Sequence, residues 1–302
     1  MELVGRLLGL LVLLLAGAGL RSVGLLDESR SARLNAVAYY VALPALIFVS
    51  TYDQAVGRLL TPALIVGHVG VLLAVAAVAW AIHRGSGQTQ RQSVAIVQSY
   101  HSNVGYLGFP LVAATFDATV TAIAGVVLGI ISIVQVPLTI LVLVGVNDAE
   151  VPIHHELKQL FTNPVLVSLF AGLAVGSAGL DVPAAAASGL DVVGSLALPL
   201  ALLCVGASLD VDLPAIDYAA TGSVVAMKIL VMPALAWAVF SALAVDAATF
   251  TASIVMLGTP TAVSTFVFAG ELGGDTEFAS LNVFLTTLAS VASLFLLIAL
   301  VS

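Results

Sequence analysis

Apolar residues run along this chain in long blocks parted by short polar stretches. The blocks cover residues 3–20, 36–51, 59–82, 93–115, 119–144, 164–178, 192–209, 219–243, 249–270 and 278–301. A helix needs about 20 apolar residues to cross a bilayer, whereas a membrane β-strand needs only about ten in alternation. Continuous blocks of this kind predict an all-α integral membrane protein with ten transmembrane helices rather than a barrel. Block 3–20 also carries Ala16-Gly17-Ala18, as a cleaved leader would. Glu2 and the place of the block in the repeat below favour a first span.

Two blocks are interrupted by residues that a lipid-facing helix would not carry. From Gln98 to Pro110 the chain reads QSYHSNVGYLGFP, and from Ser253 to Glu271 it reads SIVMLGTPTAVSTFVFAGE. Hydrocarbon offers no water to freed backbone groups, so such breaks persist only against protein or around a polar cavity. Gly105, Gly108 and Pro110 are the expected hinge of the first, Gly258 and Pro260 of the second. The two prolines stand 150 residues apart in a chain of 302. Interrupted spans at matching places in two halves are the sequence pattern of a secondary transporter's binding site.

A second internal match supports two halves. Ala-Leu-Pro stands at 42–44 and at 197–199, each time before an apolar run that ends in an Asp, Asp53 and Asp210. Residues 1–150 are therefore expected to form one five-helix repeat and 151–302 another. Five is odd, so the halves are inverted relative to each other, with helices 4 and 9 broken. With an outer N-terminus, the inner loops hold Arg21, Arg30, Arg33, Arg84, Arg91 and Lys158, and the outer segments Arg6 and Arg58. The positive-inside bias thus places both termini outside. The stretch 21–33 reads as a short charged loop.

Composition narrows the classes further. Hydrophobic residues make up 61% and charged residues 9%, against about 25% charged in a soluble domain. The net charge of −8 sits mostly in loops and suits a salt-adapted host. No basic face exists for nucleic acid. The single Cys204 cannot form an intramolecular disulfide.

Several polar residues fall at membrane depth. Asn103 offers an amide donor and an acceptor, for a substrate, an ion or a freed carbonyl. Lys228 lies near the middle of span eight, where a charge either braces the crossing of the broken helices or attracts an anion. Gln135 lines the site or bonds across helices. Thr259, Thr261, Ser264 and Thr265 place hydroxyls around the second break, for substrate or for helix carbonyls. His101, beside the first break, is the candidate pH-sensitive group, and His68 is expected to be packed. Two facing half-helix N-termini add partial positive charge, which favours an anionic substrate.

Absences also count. No span carries an Asp or Glu near its middle, as a cation–proton exchanger would need. His154-His155-Glu156 lacks metal-site spacing, Gly273-Gly274-Asp275 does not make an intramembrane protease, and no Walker motif is present. No cofactor is expected, and enzyme chemistry is disfavoured.

GLLDESRSARLNAVAYYVALPALIF at 24–48, NVGYLGFPLV at 103–112, Asn163-Pro164, ALPLALLCVGASL at 197–209 and TPTAVSTFVFAGEL at 259–272 together resemble the auxin efflux carrier family. The resemblance spans the whole chain. It implies the ten-helix inverted-repeat fold of bile-acid symporters and sodium–proton antiporters, with spans four and nine crossing at their breaks. It implies a scaffold of helices 1, 2, 6 and 7, a transport unit of helices 3–5 and 8–10, an elevator movement and a homodimer. Family substrates are small organic anions, auxin in plants and carboxylates such as malate or malonate in bacteria. By motif position Asn103, Pro110, Gln135 and Pro260 match the crossover and site region. The short loop between spans five and six departs from plant carriers, so auxin specificity is not implied. The expectation is a plasma-membrane carrier of a small carboxylate, with efflux driven by membrane potential. Sodium- or proton-coupled symport is the alternative. A non-transporting membrane sensor or scaffold is the rival of another class.

Overall fold

The computed structural model describes residues 2–85, 87–149, 158, 160–207 and 218–302. Among these residues the chain is helical, with no strand and one isolated antiparallel bridge, Ser102 to Thr261. The helices are α1 (Glu2–Ser22), α2 (Glu28–Val49), α3 (Pro62–His83), α4 (Thr89–Tyr100), α5 (Val104–Thr115) and α6 (Ala118–Asn147). They continue as α7 (Pro164–Ser177), α8 (Ala184–Ala207), α9 (Tyr218–Ala242), α10 (Ala247–Leu257), α11 (Ser264–Glu271) and α12 (Thr276–Val301). Six of them, α2, α3, α6, α8, α9 and α12, are each long and apolar enough to cross a membrane. The chain is a multi-pass membrane protein.

Two helices start earlier than the apolar blocks suggest. The expected loop 21–33 is partly helical, because the Asp27 carboxylate accepts from the Arg30 N–H at 2.8 Å and caps α2. Helix α8 starts at Ala184, where four alanines follow Pro183. Leu209, Asp210 and His154-His155-Glu156 lie outside the described residues.

Three single π-helical turns, Ala38–Ala42, Val104–Gly108 and Met227–Val231, interrupt the α geometry. Each ends two residues before a proline: Pro44, Pro110 and Pro233. A proline has no N–H, and its ring presses on the carbonyl four residues back. A turn widened by one residue moves that carbonyl aside.

The described chain forms two compact units. The first comprises Met1–Thr61, Gly105–Gly129 and Phe161–Asp212. Within it α1 and α8 touch backbone to backbone. A Cβ at Gly17 would meet the Leu203 carbonyl, and one at Gly206 the Leu14 carbonyl. Small residues allow this approach where lipid gives no hydrophobic drive between helices. Asn163 caps α7, its Oδ1 accepting from Val165 N–H at 2.9 Å and Leu166 N–H at 3.3 Å. Asn163→Ala should cost about 1 kcal/mol, read as a lowered melting temperature in lipid nanodiscs.

The second unit comprises Pro62–Val104, Ile130–Leu160 and Leu213–Ser302. Here Gly67 and His68 of α3 pack on Phe240 of α9, and the His68 Nδ1 bonds the Leu64 carbonyl at 2.7 Å. His68 is thus a packed histidine. Arg91 of α4 pairs at 2.7 Å with Asp275, whose other carboxylate oxygen caps α12 through Phe278 N–H.

Candidate functional site

All the groups that follow, apart from the three hinge residues that succeed Val104, belong to the second unit. Helix α4 ends at Tyr100, His101 takes an extended conformation, and helix resumes at Val104. The first break is therefore His101–Asn103. This corrects the expected hinge: Gly105 and Gly108 lie in the π-helical turn after the break, and Pro110 in the first turn of regular helix beyond it. In the second segment α10 ends at Leu257 with Gly258 as C-cap, and Pro260 stands in the extended stretch before α11. A Cβ on Gly258 would press on the Leu297 side chain, which would have to shift to admit it.

The two breaks pair with each other. Asn103 N–H donates to the Pro260 carbonyl at 2.9 Å, and Ala262 N–H donates to the His101 carbonyl at 3.1 Å. These bonds frame the Ser102–Thr261 bridge, one rung of an antiparallel ladder in a helical protein. Thr261 Oγ1 also donates to the Gln98 carbonyl at 2.5 Å. Each break thus satisfies backbone that the other frees, as buried membrane backbone must be.

Helix α6 supports the crossing with two residues one turn apart. Gln135 holds Ser102 on both backbone groups: its Oε1 accepts from Ser102 N–H at 3.0 Å, and its Nε2 donates to the Ser102 carbonyl at 3.1 Å. The Thr139 hydroxyl meets His101 Nδ1 at 2.8 Å and the Tyr100 hydroxyl at 3.2 Å. Of the two sequence readings of Gln135, its contacts are those of the bond across helices.

Lys228 of α9 is fully buried. Its Nζ donates to Ser102 Oγ at 2.5 Å, Met232 Sδ at 3.0 Å and the Leu257 carbonyl at 3.3 Å. The amine joins the first break to the carbonyl end of α10, where a helix favours positive charge. No described carboxylate lies within ion-pair distance of it.

Sequence reasoning missed a third layer. Gln98 Nε2 donates to Thr265 Oγ1 at 3.0 Å and to the Ala279 carbonyl at 2.9 Å, while Asn282 Nδ2 donates to Gln98 Oε1 at 2.9 Å. Asn282 Oδ1 is buried with no donor among the described residues. An amide within an apolar span, in the second turn of α12, is a signal that could have singled out Asn282.

The remaining candidates divide by whether their donors are spent. Thr259 Oγ1 donates to the Met256 carbonyl at 2.8 Å and Thr265 Oγ1 to the Ala262 carbonyl at 2.7 Å. With Thr261, these hydroxyls serve backbone and keep no proton for an anion. Asn103 as a residue is 5% exposed, and its carboxamide makes no hydrogen bond among the described residues. Ser264 is exposed at the start of α11, and its hydroxyl is likewise unbonded among them.

The model of the membrane transport protein family matches residues 3–298. The chain is 27% identical over 294 residues, 95% of this chain and 94% of the relative, to a protein of Methanothermobacter thermautotrophicus named "Uncharacterized transporter". It is 25% identical over 271 residues, 86% of this chain and 83% of the relative, to a Rhizobium meliloti protein named "Putative malonate transporter". A transporter rather than an enzyme is indicated by both. With nearly its whole length matched, this chain belongs to the membrane transport protein family, the auxin efflux carrier family that its broken-span motifs resemble.

Proposed function

We propose that this protein is a secondary carrier of a small carboxylate, with the substrate bound beside the crossover of α4–α5 and α10–α11. The observation that carries the reading is a chemical imbalance there. The buried Lys228 has no acidic partner among the described residues, and Asn103 keeps an unspent donor. Both favour an incoming anion. Asn103, with Ser264 nearby in sequence to the second break, supplies the direct contacts. Gln135, Thr259 and Thr261 hold the backbone that presents them. The name of the Rhizobium relative suggests malonate as the first probe.

Ten spans in two inverted repeats fit the element order: α1–α3, the broken pair α4–α5 and α6 are matched by α7–α9, the broken pair α10–α11 and α12. In the proposed elevator cycle spans three to five and eight to ten, α3–α6 and α9–α12, which carry the crossover, move as the transport body, and spans one, two, six and seven, α1, α2, α7 and α8, are the scaffold of a plasma-membrane homodimer with both termini outside. An anion leaving a cell gains about 2.3 kcal/mol per charge per 100 mV of inside-negative potential, which favours efflux. Sodium coupling is the second reading, because Asn282 Oδ1 is a buried acceptor that a cation could meet.

The test is a thermal-shift screen of the purified protein against malonate, malate and acetate, with and without sodium. A ligand that binds only the folded state raises its stability with the logarithm of concentration over Kd, about 2.7 kcal/mol at 100 times Kd. A rise with a carboxylate that is lost in Asn103→Ala is the expected outcome. A rise that Asn103→Ala leaves intact removes the crossover from the site, and a sodium-dependent rise favours the second reading.

A further inference from the structure

We infer that Lys228 is a proton-coupling group, taking up a proton as the carboxylate binds and releasing it as the carboxylate leaves. The inference rests on the carboxylate-carrier reading and adds the co-transported ion.

The Lys228 amine sits among uncharged groups. Its three ligands, a serine hydroxyl, a thioether and a backbone carbonyl, are all neutral. The same three serve either protonation state. An ammonium donates to all of them, and a neutral amine donates to two and accepts the Ser102 proton. The site therefore stays intact when the proton comes or goes.

Among the described residues, no element packed on the turn Met227–Val231 offers the amine a compensating charge. On α3, His68 is packed on Phe240, and His83 bonds Ser223. On α4, Arg91 is committed to Asp275, and Tyr100 to Thr139. On α12, Glu277 is exposed at the helix start, and Tyr218 of α9 is exposed. His101, bonded to Thr139, carries no negative charge in either protonation state. None of these supplies an anion to the amine.

A buried ammonium without an anion is costly, and one that gains an anion is not. Anion binding and protonation of Lys228 therefore favour each other, and by linkage the coupling is reciprocal. The step is a proton transfer alone. The Nζ lone pair takes one proton from the aqueous side, and no bond to the substrate forms. A dianion then moves with one net negative charge, still driven outward by the potential, and a monoanion moves as a neutral pair.

A bound state that holds one more proton than the free state loses affinity as pH rises, by up to about tenfold per pH unit. The experiment is malonate binding to the purified full chain from pH 7 upward, where ordinary carboxyls are ionised. It is followed by calorimetry in buffers of different ionisation enthalpy, which counts protons. Uptake approaching one proton per malonate is expected in the wild type and in His101→Gln. Lys228→Arg, whose guanidinium stays charged, should bind malonate with a flat pH profile and no proton uptake. Wild-type binding without proton uptake overturns the inference while leaving the carrier reading intact. Loss of uptake in His101→Gln moves the proton to His101 and also overturns it. If no carboxylate binds at all, the carrier reading falls, and this inference falls with it.

Discussion

Replacing Gln135 with leucine is expected to lower the stability of the protein by about 2–6 kcal/mol, although the two side chains have similar size. The loss comes from two backbone groups rather than from packing. Ser102 N–H and the Ser102 carbonyl both lie in the first break and both bond the Gln135 amide. With leucine in place each is left buried and unpaired, at about 1–3 kcal/mol apiece. Thr139→Val on the same helix is the milder control, because it removes side-chain partners of His101 and Tyr100 and leaves the backbone of the break satisfied. Unfolding in lipid nanodiscs, followed by tryptophan fluorescence, measures both. An equal loss in the two variants would mean that Gln135 is not the clamp of the crossing.

The second large effect lies in the first unit. Gly206→Val should prevent α1 and α8 from packing and leave little folded protein. At Gly206 even a Cβ would run into the Leu14 carbonyl, which belongs to helix backbone and cannot swing away as a side chain does. Overpacking of side chains costs about 1–3 kcal/mol, and a backbone collision exceeds that range. Gly222→Val in α9, where nothing lies within 4 Å, is the control that should fold normally. Monodisperse yield in size-exclusion chromatography separates the two.

Much of this arrangement was legible in the chain. The apolar blocks located helices, six of them long and apolar enough to cross a membrane, because helix length and bilayer thickness are both fixed by geometry. The paired interruptions marked the crossover because no lipid-facing helix tolerates them. Local cues failed where the answer depends on distant partners. Gly105, Gly108 and Pro110 drew attention as the hinge, yet helix accommodates them through a π-helical turn. The chain opens instead at His101–Asn103, three residues without glycine. What stabilises that opening is Gln135 on one side and 260–262 on the other, and no rule of local propensity couples them. The early start of α2 was readable from Asp27 as an N-cap, but an apolar-block reading passes over polar helix. Lys228 was legible as a buried charge near mid-span. Its contact with Ser102 and the end of α10 was not, because it depends on the bridge between the breaks.

The measurement that tests the central claim most directly is malonate flux in proteoliposomes, comparing the wild-type chain with Asn103→Ala at matched folded fraction. Uptake by counterflow in the wild type, reduced at least tenfold by Asn103→Ala, is the predicted result. Equal flux through both proteins would contradict a carboxylate site at the crossover. No flux of any carboxylate through well-folded wild type would contradict the carrier reading and favour a membrane sensor or scaffold.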